Sequence, residues 1–218
     1  MKKLLSIGLV LLCMLSFAGC SQKEASGNKP ETTAETKPEE PAFSFSRGSW
    51  DAAGKVFVNE ITGIRIQLGE GYAAISDAEL ASLYLGEDVD LSSWTEEDYK
   101  TQINIPECQF NNTGNSGLTA ITYENLAAED AAMVNEDTYL AIVLKNLSGQ
   151  RADLNVSDVY DLTLSGQPYR AYDLKYSETG LNIEQTMAVR KVGDYMTIIV
   201  FSRLAGKGDI PEMISFFD

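Results

Sequence analysis

The sequence predicts an α+β fold in which helices pack on a mostly antiparallel sheet. Three observations support this. Apolar and polar residues alternate over several short runs in the second half of the chain, separated by tight turns. That pattern belongs to strands wet on one face. One run, "YMTIIVFS" from Tyr195 to Ser202, is apolar on both faces and therefore calls for a layer above and a layer below it. Two segments carry the caps and stripes of amphipathic helices, which supply such layers.

In chain order, short strands are expected near Val56 to Asn59 and Ile64 to Leu68. A helix follows in "SDAELASLYLG", where Ser76 and Glu79 have capping-box spacing, Leu80, Leu83 and Tyr84 share one side, and Gly86 marks the stop. Ser93 and Glu96 repeat the capping spacing before a short acidic helix. Leu118 to Tyr123 reads as another strand. In "NEDTYLAIVLKNLSG", Asn135 caps, Glu136 and Asp137 suit the positive helix end, and Tyr139, Leu140, Val143, Leu144 and Leu147 form the stripe up to Gly149. A strand with Leu154, Val156, Asp158, Tyr160, Leu162 and Leu164 on one side turns at "SGQP" into a second that carries Tyr172, Leu174 and Tyr176. "SETG" leads to a third with Leu181, Ile183, Met187 and Val189, and Gly193–Asp194 makes a two-residue loop before the fourth. A last helix is expected after Asp209 and Pro211.

The amino terminus is of another kind. Lys2 and Lys3 precede an almost wholly apolar run, Leu4 to Phe17, and then Ala18, Gly19 and Cys20. This is the order of an export signal, and the run is shorter than the roughly 20 residues a membrane-crossing helix needs. The sextet "LSFAGC" resembles the lipobox of bacterial lipoproteins, in which an apolar and two small residues precede a cysteine. The resemblance implies a thioether-linked diacylglycerol on Cys20, cleavage before it, and a palmitate-bearing lipid anchor on the extracytoplasmic side of the cell membrane. A thiol suits selective acylation because it is the strongest neutral-pH nucleophile available. Two acyl chains, at about 0.8 kcal/mol per buried methylene, anchor stably where a single chain would not.

The expected organisation is thus a signal peptide at 1–19, anchor and tether at 20–41, and a single globular domain at 42–218. Ser21 to Pro41 has no large apolar residue and three prolines, too little to fold. As a flexible linker it would reach roughly 25 Å. The remainder is long enough for a core of its own.

"GSWDAAGKVFVNEITGIRIQLGEGY" resembles the opening of small bacterial lipoprotein domains of the PsbP-like fold, with Gly48, Trp50, Phe57, Asn59, Gly63, Ile66 and Leu68 in matching places. Gly69 stands where proline is usual and Tyr72 where tryptophan is usual. The resemblance implies a three-layer α/β/α sandwich used mainly for docking. Relatives of that fold include extrinsic subunits that steady photosystem II and nuclear-transport factors that bind a small GTPase. It carries over no catalytic residue.

Composition removes several functions. Against 17 Lys and Arg stand 32 Asp and Glu, for a net charge of -15. Loss of Lys2 and Lys3 with the signal makes the balance more negative still. Phosphate backbones and anionic lipid surfaces repel such a chain, so no nucleic acid is expected as partner. The absence of histidine removes Ser-His-Asp and Cys-His nucleophiles and histidine-based zinc sites. Ser26 and Lys29 lie in the tether, and Gly206–Lys207 lacks the rest of a phosphate loop. Cys108 stands alone once Cys13 and Cys20 are set aside, and reads as a small buried or half-buried thiol.

What remains is a non-enzymatic binding or docking module for an envelope protein or an extracellular ligand, with no catalytic residue, metal ligand or cofactor assigned. Two alternatives stay open. One is a calcium-binding module in "GEDVDLSSWTEEDYK", where Glu87, Asp88, Asp90, Glu96, Glu97 and Asp98 surround Trp94 and Tyr99, although Ser93 and Tyr99 break the EF-hand template. The other is a small hydrolase built on two carboxylates.

Overall fold

The computed structural model describes residues 45–86, 89–112, 114, 116–126, 131–207 and 214–216. The signal, Cys20 and the tether lie outside the described residues, as do Glu87, Asp88, Asp209 and Pro211. The domain is α+β, with a large antiparallel sheet and helices packed against it.

Eight strands form that sheet, in the order β4–β5–β6–β11–β10–β9–β7, with β8 also on β9. They are β4 (Tyr72–Ala74), β5 (Asn104–Asn112), β6 (Leu118–Asn125), β7 (Asn155–Val156), β8 (Tyr160–Leu164), β9 (Gln167–Glu178), β10 (Leu181–Val192) and β11 (Tyr195–Leu204). The doubly apolar run is β11, which lies between β6 and β10 at mid-sheet, as its composition requires. Hairpins at Ser165–Gly166 and Thr179–Gly180 have positive φ at both turn residues, the geometry whose twist matches the flanking strands.

Among the described residues three helices flank the sheet: α1 (Asp77–Tyr84), α2 (Glu96–Thr101) and α3 (Glu136–Gln150). On one face α3 lays Tyr139, Leu140, Val143 and Leu147 over β9, β10 and β11. On the same face α1 packs beside β5, and Tyr84 touches Leu118 and Ala120. The opposite face is covered by a second, four-stranded sheet in the order β1–β2–β3–β12. Its strands are β1 (Ser49–Asp51), β2 (Val56–Asn59), β3 (Ile64–Leu68) and β12 (Ile214–Phe216). Phe57, Ile64, Ile66 and Leu68 meet Ile105, Phe110, Ile121 and Phe201 there, and Tyr99 of α2 joins them. Among the described residues no helix is long and apolar enough to cross a membrane.

Several elements differ from expectation. The C-terminal segment expected to be helical ends in strand β12, antiparallel to β3 with Ile214 opposite Leu68 and Phe216 opposite Ile66. A short β-prone "ISF" satisfies the outer edge of β3, and that pairing outweighs local helix signals. The strand expected from Leu154 to Leu164 is broken, because Ser157 bonds Asp173 through both its amide and its hydroxyl. The short acidic helix is capped by Thr95 and Asp98 rather than by Ser93 and Glu96. Ser93 instead closes a single 3-10 turn, Leu91–Ser93, whose cap is Asp90. Helix α3 runs past Gly149 to Gln150.

Candidate functional site

Strand β5 reads "NIPECQFNN", and its pairing with β6 shifts register between Pro106 and Cys108. A bulge of this kind re-aims side chains. Pro106, which has no amide proton to donate, sits where β4 has already ended. Glu107 is turned into the space between the two sheets, and its side chain is fully buried.

The chain's entry into the domain closes over this carboxylate. Gly48 donates its amide to Glu107 Oε1, and Asn59 Nδ2 donates to the same oxygen at 3.2 Å. Asn59 also reaches Ser46 O and Tyr123 OH, and its Oδ1 accepts the amides of Ile61 and Thr62 at 3.0 Å. Arg47 donates to the Glu107 backbone carbonyl at 2.7 Å and to Asp77 Oδ1 at 2.8 Å. Its Nε stays 4.0 Å from Glu107 Oε2, and neither of those two buried atoms has a hydrogen-bond partner. One step earlier, Phe45 is 4% exposed among the rings of Tyr99, Tyr123 and Tyr195, at centroid distances of 5.0, 4.8 and 5.2 Å. Gly48 is required here: a Cβ would lie 2.5 Å from the Phe57 ring and 2.6 Å from Val58 O.

Burial sets the electrostatics. Desolvation pushes the Glu107 carboxyl up from 4.5 to about 7, against the Gly48 amide, Arg47 and Asn59, while Asp77 pushes it further up. The Cys108 thiol and Tyr123 hydroxyl are driven well above their ordinary values, first by burial and then by Glu107. Cys108 is half-buried against the core between the sheets and keeps its thiol protonated, within the buried or half-buried reading expected of it. A second carboxyl, Glu124 of β6, is also raised to about 7 by burial. It accepts a 2.6 Å hydrogen bond from Tyr139 OH of α3, so it lies on the helix face while Glu107 lies on the other. The two carboxyls do not confront one another across a shared cleft.

Three acids of the stretch around Trp94 are engaged locally. Asp90 Oδ1 accepts from the Ser92 amide and hydroxyl, Asp98 Oδ2 accepts both Thr95 donors at 2.7 Å, and Glu96 pairs with Lys100. Tyr99 is buried, and Trp94 is half-buried against it at 5.2 Å. Among the described residues no group of three or more His, Cys, Asp or Glu is placed to hold a metal ion. Sequence reasoning passed over Glu107, Arg47 and Phe45. The available signal was a lone acid between Pro106 and Cys108, in a short run that also holds Ile105 and Phe110. Gly48 and Asn59, noticed for the family resemblance, prove to be donors to that acid.

No family model matches the chain, and no curated protein matches it. Similar solved structures include a protein from Bacteroides thetaiotaomicron VPI-5482, at 9% identity and a TM-score of 0.40 over 76% of this chain. This chain spans about half of that one, 49%. They also include LpqN of Mycobacterium tuberculosis, described as involved in cell envelope biogenesis, at 12% identity and a TM-score of 0.35, covering 70% of this chain and 83% of that one. The likeness is distant, and overlap this loose says nothing of shared chemistry.

Proposed function

We propose that this chain is an extracytoplasmic lipoprotein, held to the cell membrane by diacylglycerol on Cys20, whose domain is a non-enzymatic docking module for an envelope protein. The Gly48 to Leu68 pattern keeps the PsbP-like lipoprotein domains as the family it resembles. One observation carries the docking part. The chain enters at Phe45 against Tyr99 and Tyr195, at the end of the large sheet where β5 begins and the β10–β11 hairpin turns. Two of the three exposed large hydrophobics among the described residues, Ile103 at 57% and Met133 at 72% exposure, lie at that same end. Ile103 O accepts the Asn125 amide beside the hairpin, and the carbonyls flanking Met133, Ala131 O and Val134 O, accept from Lys191. A tether joined there presents these side chains toward the anchored side. Against a hydrolase stand the separate burial of Glu107 and Glu124, and against a calcium module the local use of Asp90 and Asp98.

Photocrosslinkers at positions 103 and 133, in cells carrying the full chain, test this reading. A defined adduct from both positions, missing from a crosslinker at Val159 on the sheet edge, supports it. Equal capture at all three, or none at 103 and 133, overturns it.

A further inference from the structure

The segment Phe45–Gly48 is tied down by a set of contacts unlike an ordinary chain entry. Its ring plug, its guanidinium and its last amide each have a built receptor, and two of those receptors converge on Glu107. Yet Glu107 Oε2 is buried and has no donor. A neutral carboxyl tolerates that position far better than a carboxylate does. We propose that Phe45–Gly48 is a proton-gated clasp: it lies docked while Glu107 carries a proton and lifts away when Glu107 loses it.

The charges around Glu107 decide the sign. On the segment itself is Arg47, whose guanidinium is committed to Asp77 Oδ1 and to the Glu107 main chain, with Nε left 4.0 Å short of Oε2. From α1 comes Asp77, which opposes a second negative charge. From the strands and α2 come Cys108, Tyr123 and Tyr99, each neutral at physiological pH because burial holds its proton on. Asn59 donates to Oε1 alone. No group in this set offers Oε2 a hydrogen bond. Lifting the clasp removes Gly48, Arg47 and Phe45 from above the carboxylate and lets water reach it.

The raised affinity of the docked carboxyl for its proton supports the same direction. If the undocked carboxyl returns to its ordinary 4.5 from about 7, the clasp opens about 70-fold more readily at pH 8 than at pH 5. Opening adds four residues to the linker, about 13 Å of extended chain. That added reach rests on the lipid-anchor reading; the opening itself does not.

Amide exchange of Gly48 in the full chain reports the clasp directly, since that amide is the donor to Glu107. After correction for base-catalysed intrinsic exchange, its protection should fall by tens of fold from pH 5 to pH 8 and stay below that of the β11 amides at every pH. Glu107→Gln should flatten the profile. Phe45→Ala should lower Gly48 protection at every pH and leave β11 protected, which keeps the test alive should the glutamine variant fold poorly. A flat wild-type profile, Gly48 protection equal to that of β11 at every pH, or an undiminished pH slope in Glu107→Gln overturns the proposal.

Discussion

Domain stability should rise as pH falls from about 7.5 to 5, the reverse of what paired surface carboxylates produce. Glu107 and Glu124 both hold their protons to about 7 in the native state, against 4.5 ordinarily, with burial as the main cause. A carboxyl raised in this way contributes stability that is complete below 4.5 and is lost as pH climbs through 7. The difference corresponds to about 3 kcal/mol for each group, with a steepest slope of about 1.4 kcal/mol per pH unit per carboxyl. Asp90, Asp98, Asp153 and Glu184 are shifted the other way, mainly by hydrogen bonds to their carboxylates, so their effect falls below this window. Urea midpoints of the full chain at pH 5, 6, 7 and 8 measure the dependence. Glu107→Gln and Glu124→Gln should each remove about half of it and should stabilise the protein chiefly at pH 8. Midpoints that are flat or that climb with pH, or variants that keep the wild-type slope, would refute burial as the controlling influence.

Further outcomes follow from the same contacts. Gly48→Ala should cost about 1–3 kcal/mol in chemical denaturation, because the new methyl meets the Phe57 ring and the Val58 carbonyl. Phe45→Ala should cost about 3 kcal/mol at most, the lower end for a caged aromatic, since a chain-entry segment can lift off rather than leave a hole. Calcium should leave the thermal midpoint unchanged, since Asp90 and Asp98 are bonded within their own turns; a rise at saturating calcium would restore the metal-binding alternative. Cys20→Ala should abolish metabolic palmitate labelling and release the protein from the membrane fraction, and retention of either property would remove the lipid anchor from the proposed function.

Elements whose side-chain pattern is local were legible in the sequence. The Ser76–Glu79 box and the Asn135 cap form as their spacing implies; α3 buries Tyr139, Leu140, Val143 and Leu147 of its predicted stripe, while α1 buries Leu80 and leaves Leu83 and Tyr84 half-buried. Strand β11 declares itself because both its faces are covered. The clasp was not legible. Arg47 and Glu107 lie 60 positions apart, Phe45 meets rings farther still along the chain, and a bulge at Glu107 breaks the alternation that would have marked β5 as a strand. Nor does spacing along the chain reveal that the second layer is a sheet. Phe57, Ile64 and Ile66 show only that β2 and β3 have one buried face, not what lies against it.

The pairing of β12 with β3 has a consequence for how the molecule is assembled. Its contacts join positions about 150 residues apart, so the smaller sheet is stitched from the two ends of the domain. As the chain is synthesised amino end first, β3 waits with one bare rim until β12 emerges. Long-range closure of this kind is the slow part of folding, and until it happens the rim is open to pairing with a neighbouring copy.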